Sequence, residues 1–226
     1  MSAVPVRVVA FDVGETLIDE TRIFSRWADR LGIPRMTFLG VLGGVAALGR
    51  PHREIFETFR PGFDLDAELA AWAADDPNGL RENFDADDLY PDVRPCFAAL
   101  RRRGLGVVIA GNQPSQARDA LEAMDLGADS ILISDDLGVA KPDQGFFAAV
   151  ADAAGVDPAQ IAYVGDRIDN DVVPANAAGM VSVLVRRGPW GFLHASWPEA
   201  ATADVIADSL LVLPDLLDAL LDARKP

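Results

Sequence analysis

The chain has 226 residues and a formal net charge of −15, from 20 Lys and Arg against 35 Asp and Glu. Half of the residues are hydrophobic and 24% are charged, which is typical of a globular protein that buries a core. The negative field disfavours nucleic acid and anionic membranes as partners, and no apolar run approaches the roughly 20 residues that span a bilayer. The length favours a core domain with one inserted subdomain.

The cellular location is suggested by two features. The first residues, MSAVPVRVVAF, lack the charged start, the long apolar stretch and the small-residue cleavage site of a secretion signal. Cys96 is the only cysteine, which excludes an internal disulfide and a cysteine-based zinc site. We therefore expect a cytoplasmic protein.

Short apolar, β-branched runs alternate with amphipathic helical patterns. The predicted strands are 6–11, 106–110, 130–134, 161–165, 181–185 and, more weakly, 204–206. The predicted helices that separate and follow them are 93–103, 115–126, 143–154 and 209–223. This alternation predicts an α/β fold, a Rossmann-like parallel sheet with helices on both faces. Ligands of such sheets bind at the carboxyl ends of the strands.

Residues 19–88 interrupt the alternation because they contain no convincing strand. Their hydrophobic spacing predicts four helices, around Ile23 to Leu31, at 36–48, around Ile55 to Phe59 and around Leu65 to Trp72. An acidic stretch at 75–88 is interpreted as a linker. The sequence thus predicts a core formed by 1–18 and 89–226, and an all-helical subdomain at 19–88.

The second predicted helix of this insert is apolar but contains Gly40, Gly43 and Gly44. Each glycine costs a helix about 1 kcal/mol relative to alanine. We therefore expect close packing against a neighbour to offset that cost. The same stretch is a candidate interface, although the sequence leaves the oligomeric state undetermined.

Acidic residues follow two of the predicted strands. Asp12, in FDVGETL, comes directly after the first strand, where an aspartate can be a metal ligand, a nucleophile or an ordinary helix cap. Asp166, Asp169 and Asp171 crowd into VGDRIDND after the fourth strand, and carboxylates this close repel one another unless a cation offsets them. Mg²⁺ prefers oxygen ligands and often takes one or two carboxylates. The sequence therefore predicts that Asp12 and Asp166 hold Mg²⁺.

Two further strand ends carry candidate site residues. Lys141, in AKPD, is the only lysine besides Lys225 in a chain that otherwise uses arginine, and its ammonium could reach a phosphate or a carboxylate. Gly111 and Asn112 follow the second core strand, where backbone N–H groups could bind an oxyanion. The Gly111–Asn112 signal is weak when taken alone.

In this order and spacing, the four sites resemble the motifs of the haloacid dehalogenase-like hydrolase superfamily. Asp12, Thr16 and Leu17 match the first motif, DxDx[TV]L, and Lys141 before a proline matches the third. Gly165, Asp166 and Asp171 match the fourth motif, GDxxxxD. The resemblance covers the whole chain, and the insert falls between the first and second motifs, where one subgroup carries a helical cap.

The resemblance implies hydrolysis of a small phosphorylated metabolite through an aspartyl-phosphate, with Mg²⁺ as cofactor. Asp12 would attack the phosphorus atom, and Lys141 would pair with Asp12 and the phosphoryl group. Mg²⁺ would bind Asp12, the backbone carbonyl of Gly14 and Asp166, while Asp171 would hold a metal-bound water or orient Lys141. The residues implied to bind the substrate are Thr16, Gly111 and Asn112.

Two positions depart from the family pattern. Gly14 stands where phosphatases of the family carry a second aspartate as general acid and base, a role worth about 10²–10⁴ in rate. Gly111 stands where a Ser or Thr hydroxyl normally bonds the phosphoryl oxygen. The residues weighed as replacement acids are Glu15, Asp19 and His52. Glu15 is expected to point elsewhere, because adjacent side chains diverge, and His52 is more simply a surface histidine.

Three functions therefore remain open. The leading one is a Mg²⁺-dependent phosphatase, which the intact metal-binding and nucleophile positions favour. Gly14 and Gly111 favour the second, a catalytically impaired module that binds a metal or a phosphorylated ligand. The third is a dehalogenase, which needs no proton donor but usually has a different fourth motif. A phosphonate-cleaving enzyme is disfavoured because the insert contains no lysine.

Overall fold

The computed structural model describes residues 4–77 and 83–223. The strands are β1 (Val8–Phe11), β2 (Gly106–Gly111), β3 (Ser130–Ile133), β4 (Ile161–Gly165), β5 (Val181–Val185) and β6 (Val205–Ala207). They form one parallel sheet in the order β3-β2-β1-β4-β5-β6. All four residues of β1 are buried, as the uninterrupted apolar run VVAF requires of a central strand. The predicted α/β fold class is confirmed.

The strand order reverses at β1. β2 and β3 extend the sheet on one side of β1, and β4, β5 and β6 extend it on the other. The carboxyl ends of β1 and β4 therefore flank the switch point, which is where open α/β sheets bind their ligands. Asp12 and Asp166 directly follow these two strands.

The chain contacts define two compact units, and the second of them is Glu20–Phe84. Its helices are α1 (Thr21–Leu31), α2 (Arg35–Ala47), α3 (Glu54–Phe59) and α4 (Leu65–Asp75). α1 ends at Gly32, whose left-handed backbone closes the helix. The core of this unit is aromatic, since the Trp27 ring lies edge-on to Phe56 and Trp72 at centroid distances of 4.8 and 4.9 Å.

The glycines of α2 do not mark a close helix contact. A Cβ atom added at Gly40, Gly43 or Gly44 would meet no other atom within 4 Å. The expectation of close packing at these positions is therefore wrong for the described structure. α2 is instead anchored by its opposite side, where Phe38 and Leu42 are buried.

The first unit contains the described residues up to Asp19 and from Asp85 onward. Its helices are α5 (Val93–Arg102), α6 (Ala117–Ala123), α7 (Ser134–Leu137), α8 (Gln144–Ala154), α9 (Val173–Ala177), α10 (Gly188–His194) and α11 (Leu213–Ala223). Val8 and Ala10 of β1 pack in one cluster with residues of α8, whereas Phe11 contacts Phe97 of α5 at a ring-centroid distance of 4.8 Å. Helices therefore cover both faces of the sheet, because alternate strand residues point to opposite faces.

Several predicted elements are shorter in the structure. The predicted strand 130–134 ends at Ile133 because Ser134 begins α7, and the predicted helix 115–126 is reduced to α6. The last helix begins at Leu213 rather than at 209, because the Ser209 hydroxyl accepts the Leu211 N–H at 3.1 Å and holds a turn there. Within the described ranges, no helix combines the length and the apolar character needed to cross a membrane.

The boundaries of the insert differ by a few residues from the predicted 19–88. The Asp19 N–H donates to the Asp88 carbonyl at 2.8 Å, and Ile18 forms an isolated antiparallel bridge with Leu89. These contacts place Asp19 and residues 85–88 in the first unit. Residues 78–82 of the predicted linker lie outside the described ranges, and its end forms a 3₁₀ turn at Ala86–Asp88.

Candidate active site

Three buried carboxylates meet beyond the carboxyl ends of β1 and β4. One oxygen from each of Asp12, Asp166 and Asp171 lies within 4.8 Å of the other two, and each residue is less than a tenth exposed. No second group of three His, Cys, Asp or Glu side chains has this spacing in the part of the chain that the structure describes. Such a group is unfavourable without a compensating cation.

Burial and mutual repulsion oppose full ionisation of these carboxylates. Burial, followed by the charges of Asp171 and Asp12, raises the pKa of Asp166 well above its usual range. Burial also raises the pKa of Asp171 to about 6, although Lys141 opposes the rise. A divalent cation would stabilise the ionised forms, and carboxylate oxygens are ligands that Mg²⁺ accepts. The residues therefore fit a Mg²⁺ ion.

Lys141 completes what we call the carboxylate cluster, which consists of Asp12, Lys141, Asp166 and Asp171. Its Nζ atom lies 2.6 Å from Oδ1 of Asp12 and 2.6 Å from Oδ1 of Asp171, and its side chain has no exposed surface. Burial acts to lower the pKa of Lys141, but the charges of Asp12 and Asp171 outweigh it and raise that pKa well above the usual value. The ammonium therefore stays charged among three carboxylates.

Asn112 holds the backbone of Lys141. Its Nδ2 donates to the Lys141 carbonyl at 2.9 Å, and its Oδ1 accepts the Lys141 N–H at 2.8 Å. The Lys141–Pro142 peptide bond that follows is cis. The amide of Asn112 is thus engaged with the chain itself, and its contact with a substrate stays a prediction.

The segment after β4 folds back on the strand end through a π-helical turn, Ile168–Val172. Oδ2 of Asp171 accepts the Arg167 N–H at 2.9 Å. A Cβ atom at Gly165 would lie 2.3 Å from Cγ of Asp171, so glycine is required for this approach. Asp169 is outside the carboxylate cluster, because it pairs with the Arg167 guanidinium at 2.6 Å. Short π-helical turns are frequent at functional sites.

Gly111 is fitted to the position of Asp12. A Cβ atom at Gly111 would lie 2.8 Å from Cγ2 of Val13 and 2.9 Å from Oδ1 of Asp12. These distances are shorter than real Cβ contacts, so a Ser or Thr at this position would require the side chains of Val13 and Asp12 to shift. The observed positions of the Asp12 carboxylate and the Val13 side chain therefore favour glycine at position 111, where the hydroxyl is absent.

The turn after β1 is buried except at one position. Gly14 is partly exposed and forms an isolated bridge with Ile18, whereas the other residues of 11–18 are buried. Thr16 has no exposed surface, and its hydroxyl has no hydrogen-bond partner among the described residues. Glu15 has a left-handed backbone, with φ of 50°, and its Oε2 accepts the Tyr90 hydroxyl at 2.6 Å. The contacts of Gly14 and Thr16 with a ligand stay predictions.

A second set of buried and half-buried polar residues supports the same turn. We call it the arginine network, and its members are Glu15, Tyr90, Asp92, Arg187 and Ser209. Arg187 donates to the Thr16 carbonyl at 2.7 Å and to the Asp92 carboxylate, and its guanidinium carbon lies 4.1 Å from the Tyr90 ring centroid. These contacts tie the turn after β1 to the loop after β5.

Asp92 is the anion at the centre of the arginine network. Besides Arg187, its Oδ2 accepts the Ser209 hydroxyl at 2.7 Å and the Leu210 N–H at 3.0 Å. Burial acts to raise the pKa of Asp92, but the hydrogen bonds from Ser209 and Arg187 outweigh it and lower that pKa below the usual value. The sequence did not predict this network, because its partners are 75 to 171 positions apart and form no motif.

The sequence places His194 in the aromatic loop 188–197 but does not predict its contact with the π-helical turn. Its Nδ1 accepts the Ile168 N–H at 3.0 Å, which places the proton of the neutral ring on Nε2. The side chain is 1% exposed, and its ring lies 4.1 Å from the Trp197 ring centroid. Burial lowers the pKa of His194. His194 thus supports the start of the π-helical turn while it is neutral.

The other residues weighed as replacement acids have different surroundings. His52 belongs to the second unit, is exposed, and lies edge-on to Phe24 at a centroid distance of 6.4 Å. Asp19 is half-buried at the boundary of the first unit. Neither observation assigns them a role in catalysis.

Comparisons with known proteins place the chain in a family. The model of the haloacid dehalogenase-like hydrolases matches residues 6–179. Glyceraldehyde 3-phosphate phosphatase of Methanopyrus kandleri is 40% identical over 206 residues, with 82% of this chain and 86% of that protein covered. The plasmid phosphoglycolate phosphatase of Cupriavidus necator is 30% identical over 224 residues, with 95% and 94% covered.

Among solved structures, the 2-haloacid dehalogenase of Pseudomonas syringae pv. Tomato has a TM-score of 0.61 and 23% identity, with 95% of this chain and 99% of that chain covered. A likeness at this identity shows the fold alone, and the fold does not determine the reaction. The family model, in contrast, spans well over half of the sequence, and the two relatives are matched over most of their lengths. This chain therefore belongs to the haloacid dehalogenase-like hydrolases.

Proposed function

We propose that the chain is a Mg²⁺-dependent phosphatase of small phosphorylated metabolites that acts through a phosphorylated Asp12. The observation that carries the proposal is the carboxylate cluster, in which Lys141 is bonded to Asp12 and three carboxylates stand within 4.8 Å. The names of the two relatives support it, because each names a phosphatase of a small phosphate ester. A cytoplasmic location belongs to the same proposal and is supported by the single cysteine.

In the proposed reaction, an oxygen of Asp12 attacks phosphorus and the bond from phosphorus to the leaving oxygen breaks. Water then hydrolyses the aspartyl-phosphate and regenerates the carboxylate. Lys141 holds Asp12 in place and offsets the negative charge of the incoming phosphoryl group. Asp171 in turn holds Lys141 at 2.6 Å. The residues proposed to contact the phosphoryl group are Thr16, Gly111 and Asn112.

The metal would be held by Asp12, Asp166 and the carbonyl of Gly14, with Asp171 behind them. Bound there, Mg²⁺ would neutralise the phosphoryl oxygens during transfer. The raised pKa of the buried Asp166 supports this assignment, because a bound cation would stabilise its ionised form.

A second candidate function is a module that binds a phosphorylated ligand without turning it over. Gly14 favours it, because this position offers no side chain as acid or base. A dehalogenase has no comparable observation in its favour, since its fold is shared with phosphatases.

The test is turnover by the purified protein with Mg²⁺, using para-nitrophenyl phosphate and a panel of metabolite phosphates. We expect Asp12→Asn to lower the rate by about 10⁴-fold or more, as removal of a nucleophile does. Intact mass spectrometry should find a covalent phosphate on the wild-type protein and none on Asp12→Asn. Asp169→Asn is the matched control, because Asp169 is a neighbouring acid outside the cluster, and it should keep most of the activity.

Equal turnover by wild type and Asp12→Asn would contradict the proposal. A protein that binds metabolite phosphates in the presence of Mg²⁺ but hydrolyses none of them would support the binding module instead. Folding of each variant is checked by its thermal transition, so that a loss of activity is not confused with unfolding.

A further inference from the structure

We infer that this site acts on phosphorylated compounds whose leaving group departs without a proton, namely acyl phosphates and the phosphates of acidic hydroxyls such as enols and phenols. The inference rests on the proposed phosphatase function and narrows its substrate class. It follows from the ion pairs and hydrogen bonds that the donor groups near Asp12 in the first unit already make.

The chemistry of the leaving group sets the requirement. When Asp12 attacks, the electron pair of the broken bond remains on the leaving oxygen. An alcohol resembles water and is a far weaker acid than a phenol or a carboxylic acid, so its oxygen needs a proton as it leaves. A phenol has a pKa of about 10 and a carboxylic acid a pKa of about 4, so their anions leave unaided far more readily.

The donors nearest to Asp12 are committed to other partners. Lys141 lies between Asp12 and Asp171 at 2.6 Å from each, and it has no exposed surface. The Asn112 amide donates to the Lys141 carbonyl. Both groups therefore position the nucleophile and cannot turn toward a leaving oxygen without breaking those bonds.

The side chains of the turn after β1 do not present an acid either. The Tyr90 hydroxyl donates to Oε2 of Glu15, so Glu15 acts there as an acceptor. Thr16 has no exposed surface. Gly14, the partly exposed residue of the turn, has no side chain to donate. Among the described residues of the first unit, the groups beside Asp12 thus provide no uncommitted acid at the exposed point of the turn.

Such a site is sensitive to the basicity of the leaving group. General acid catalysis is worth about 10²–10⁴ in rate, and it matters most for the most basic leaving groups. Without a general acid, hydrolysis of an alkyl phosphate should therefore lack this gain in rate, whereas hydrolysis of an acyl phosphate should be slowed little. The named activities of the two relatives concern alkyl phosphates and belong to those proteins.

The experiment is a leaving-group series with the full-length protein and Mg²⁺. The substrates are acetyl phosphate, para-nitrophenyl phosphate, phenyl phosphate, phosphoglycolate and glyceraldehyde 3-phosphate, each with wild type, Asp12→Asn and Gly14→Asp. We expect kcat/KM of the wild type to fall at least about 10²-fold from acetyl phosphate to the two alkyl phosphates. Gly14→Asp should raise the ratio of the alkyl phosphate rates to the acetyl phosphate rate by about 10²-fold.

The outcomes separate the inference from the function on which it rests. If the wild type hydrolyses the whole series at similar rates and Asp12→Asn is inactive, the phosphatase stands but the inference is overturned, and Glu15→Gln and His52→Gln then identify the donor. If no substrate is hydrolysed, or Asp12→Asn matches wild type, both fail. The wild-type series alone decides the inference should Gly14→Asp fail to fold.

Discussion

The carboxylate cluster and the arginine network are both buried, both charged and both bonded to the turn after β1, yet they differ in how their charges are compensated. In the cluster, one ammonium faces three carboxylates, and the pKa values of Asp166 and Asp171 are raised, chiefly by burial. In the network, Asp92 receives hydrogen bonds from a guanidinium, a hydroxyl and a backbone N–H, and its pKa is lowered despite burial.

The contrast indicates which buried charges serve function and which serve the fold. A network whose anion is already stabilised by the chain has no need of a ligand. A cluster with excess negative charge is incomplete until a cation arrives, and that state is costly in a structure without one. We therefore infer that the arginine network has a structural role, in which it fixes the turn after β1, and that the carboxylate cluster has the functional role proposed above.

The largest expected effect comes from replacing the positively charged side chain of either region, which is Lys141 in the carboxylate cluster and Arg187 in the arginine network. Lys141→Met and Arg187→Met should each lower the free energy of unfolding by about 3–5 kcal/mol, because each leaves buried carboxylates without their partner. Urea denaturation measures both. Added Mg²⁺ should narrow the difference in stability between Lys141→Met and the wild type at the same Mg²⁺ concentration, and should leave the difference between Arg187→Met and the wild type unchanged. If Mg²⁺ rescues both variants equally, the two regions are not distinct.

The next largest effect is the stabilisation of the protein by Mg²⁺, which tests where the metal binds. Mg²⁺ at one hundred times its Kd should stabilise the wild type by about 2.7 kcal/mol, because it binds only the folded chain. Asp166→Asn should abolish this gain, and Asp92→Asn should keep it even though it destabilises the protein. Thermal melts with and without Mg²⁺ measure the difference. If Mg²⁺ still stabilises Asp166→Asn, the metal binds outside the carboxylate cluster.

The smallest effect is a pH dependence that arises beside the cluster. Burial lowers the pKa of His194 below its unfolded value of about 6.5, so the unfolded chain binds more protons there. The contribution of His194 to stability should therefore be complete above about pH 6.5 and should decrease by at most about 1.4 kcal/mol per pH unit below it. Asp169 and Arg167, the charged groups facing His194, stay ionised in this window.

The matched variant for this prediction is His194→Gln, since its side-chain oxygen can accept the Ile168 N–H but does not titrate. Urea denaturation of both proteins between about pH 5 and 7 should show a shallower pH dependence in the variant. If the two curves are parallel, His194 makes no contribution to the acid sensitivity.

The sequence was sufficient to predict the sheet and the residues that meet at its edge. Apolar runs mark buried parallel strands, and residues that directly follow such strands converge at one end, which is why Asp12 and Asp166 could be grouped from the sequence. The pairing of Lys141 with Asp12 was implied by the resemblance to the family motifs. Pairing register and helix ends depend on tertiary contacts instead. The start of α11 is an example, because Ser209 bonds to Asp92 rather than continuing the helix.

The support of the site could not be predicted. Arg187 reaches the Thr16 carbonyl across 171 positions, and nothing in the local sequence marks either residue. Nothing in the local sequence predicts the left-handed backbone of Glu15 either, since glutamate seldom adopts that conformation. The packing expected for the α2 glycines was wrong because an apolar stretch indicates burial without showing which side is buried.

The fit between Gly111 and Asp12 limits how this chain can change by single mutations. A hydroxyl-bearing residue at 111 would collide with Val13 before it could assist a phosphoryl group. Restoring the motif would thus require the side chains of Val13 and Asp12 to shift, and we expect a smaller residue at 13 to ease that shift. Libraries that vary positions 13 and 111 together should therefore contain active variants that libraries varying position 111 alone do not.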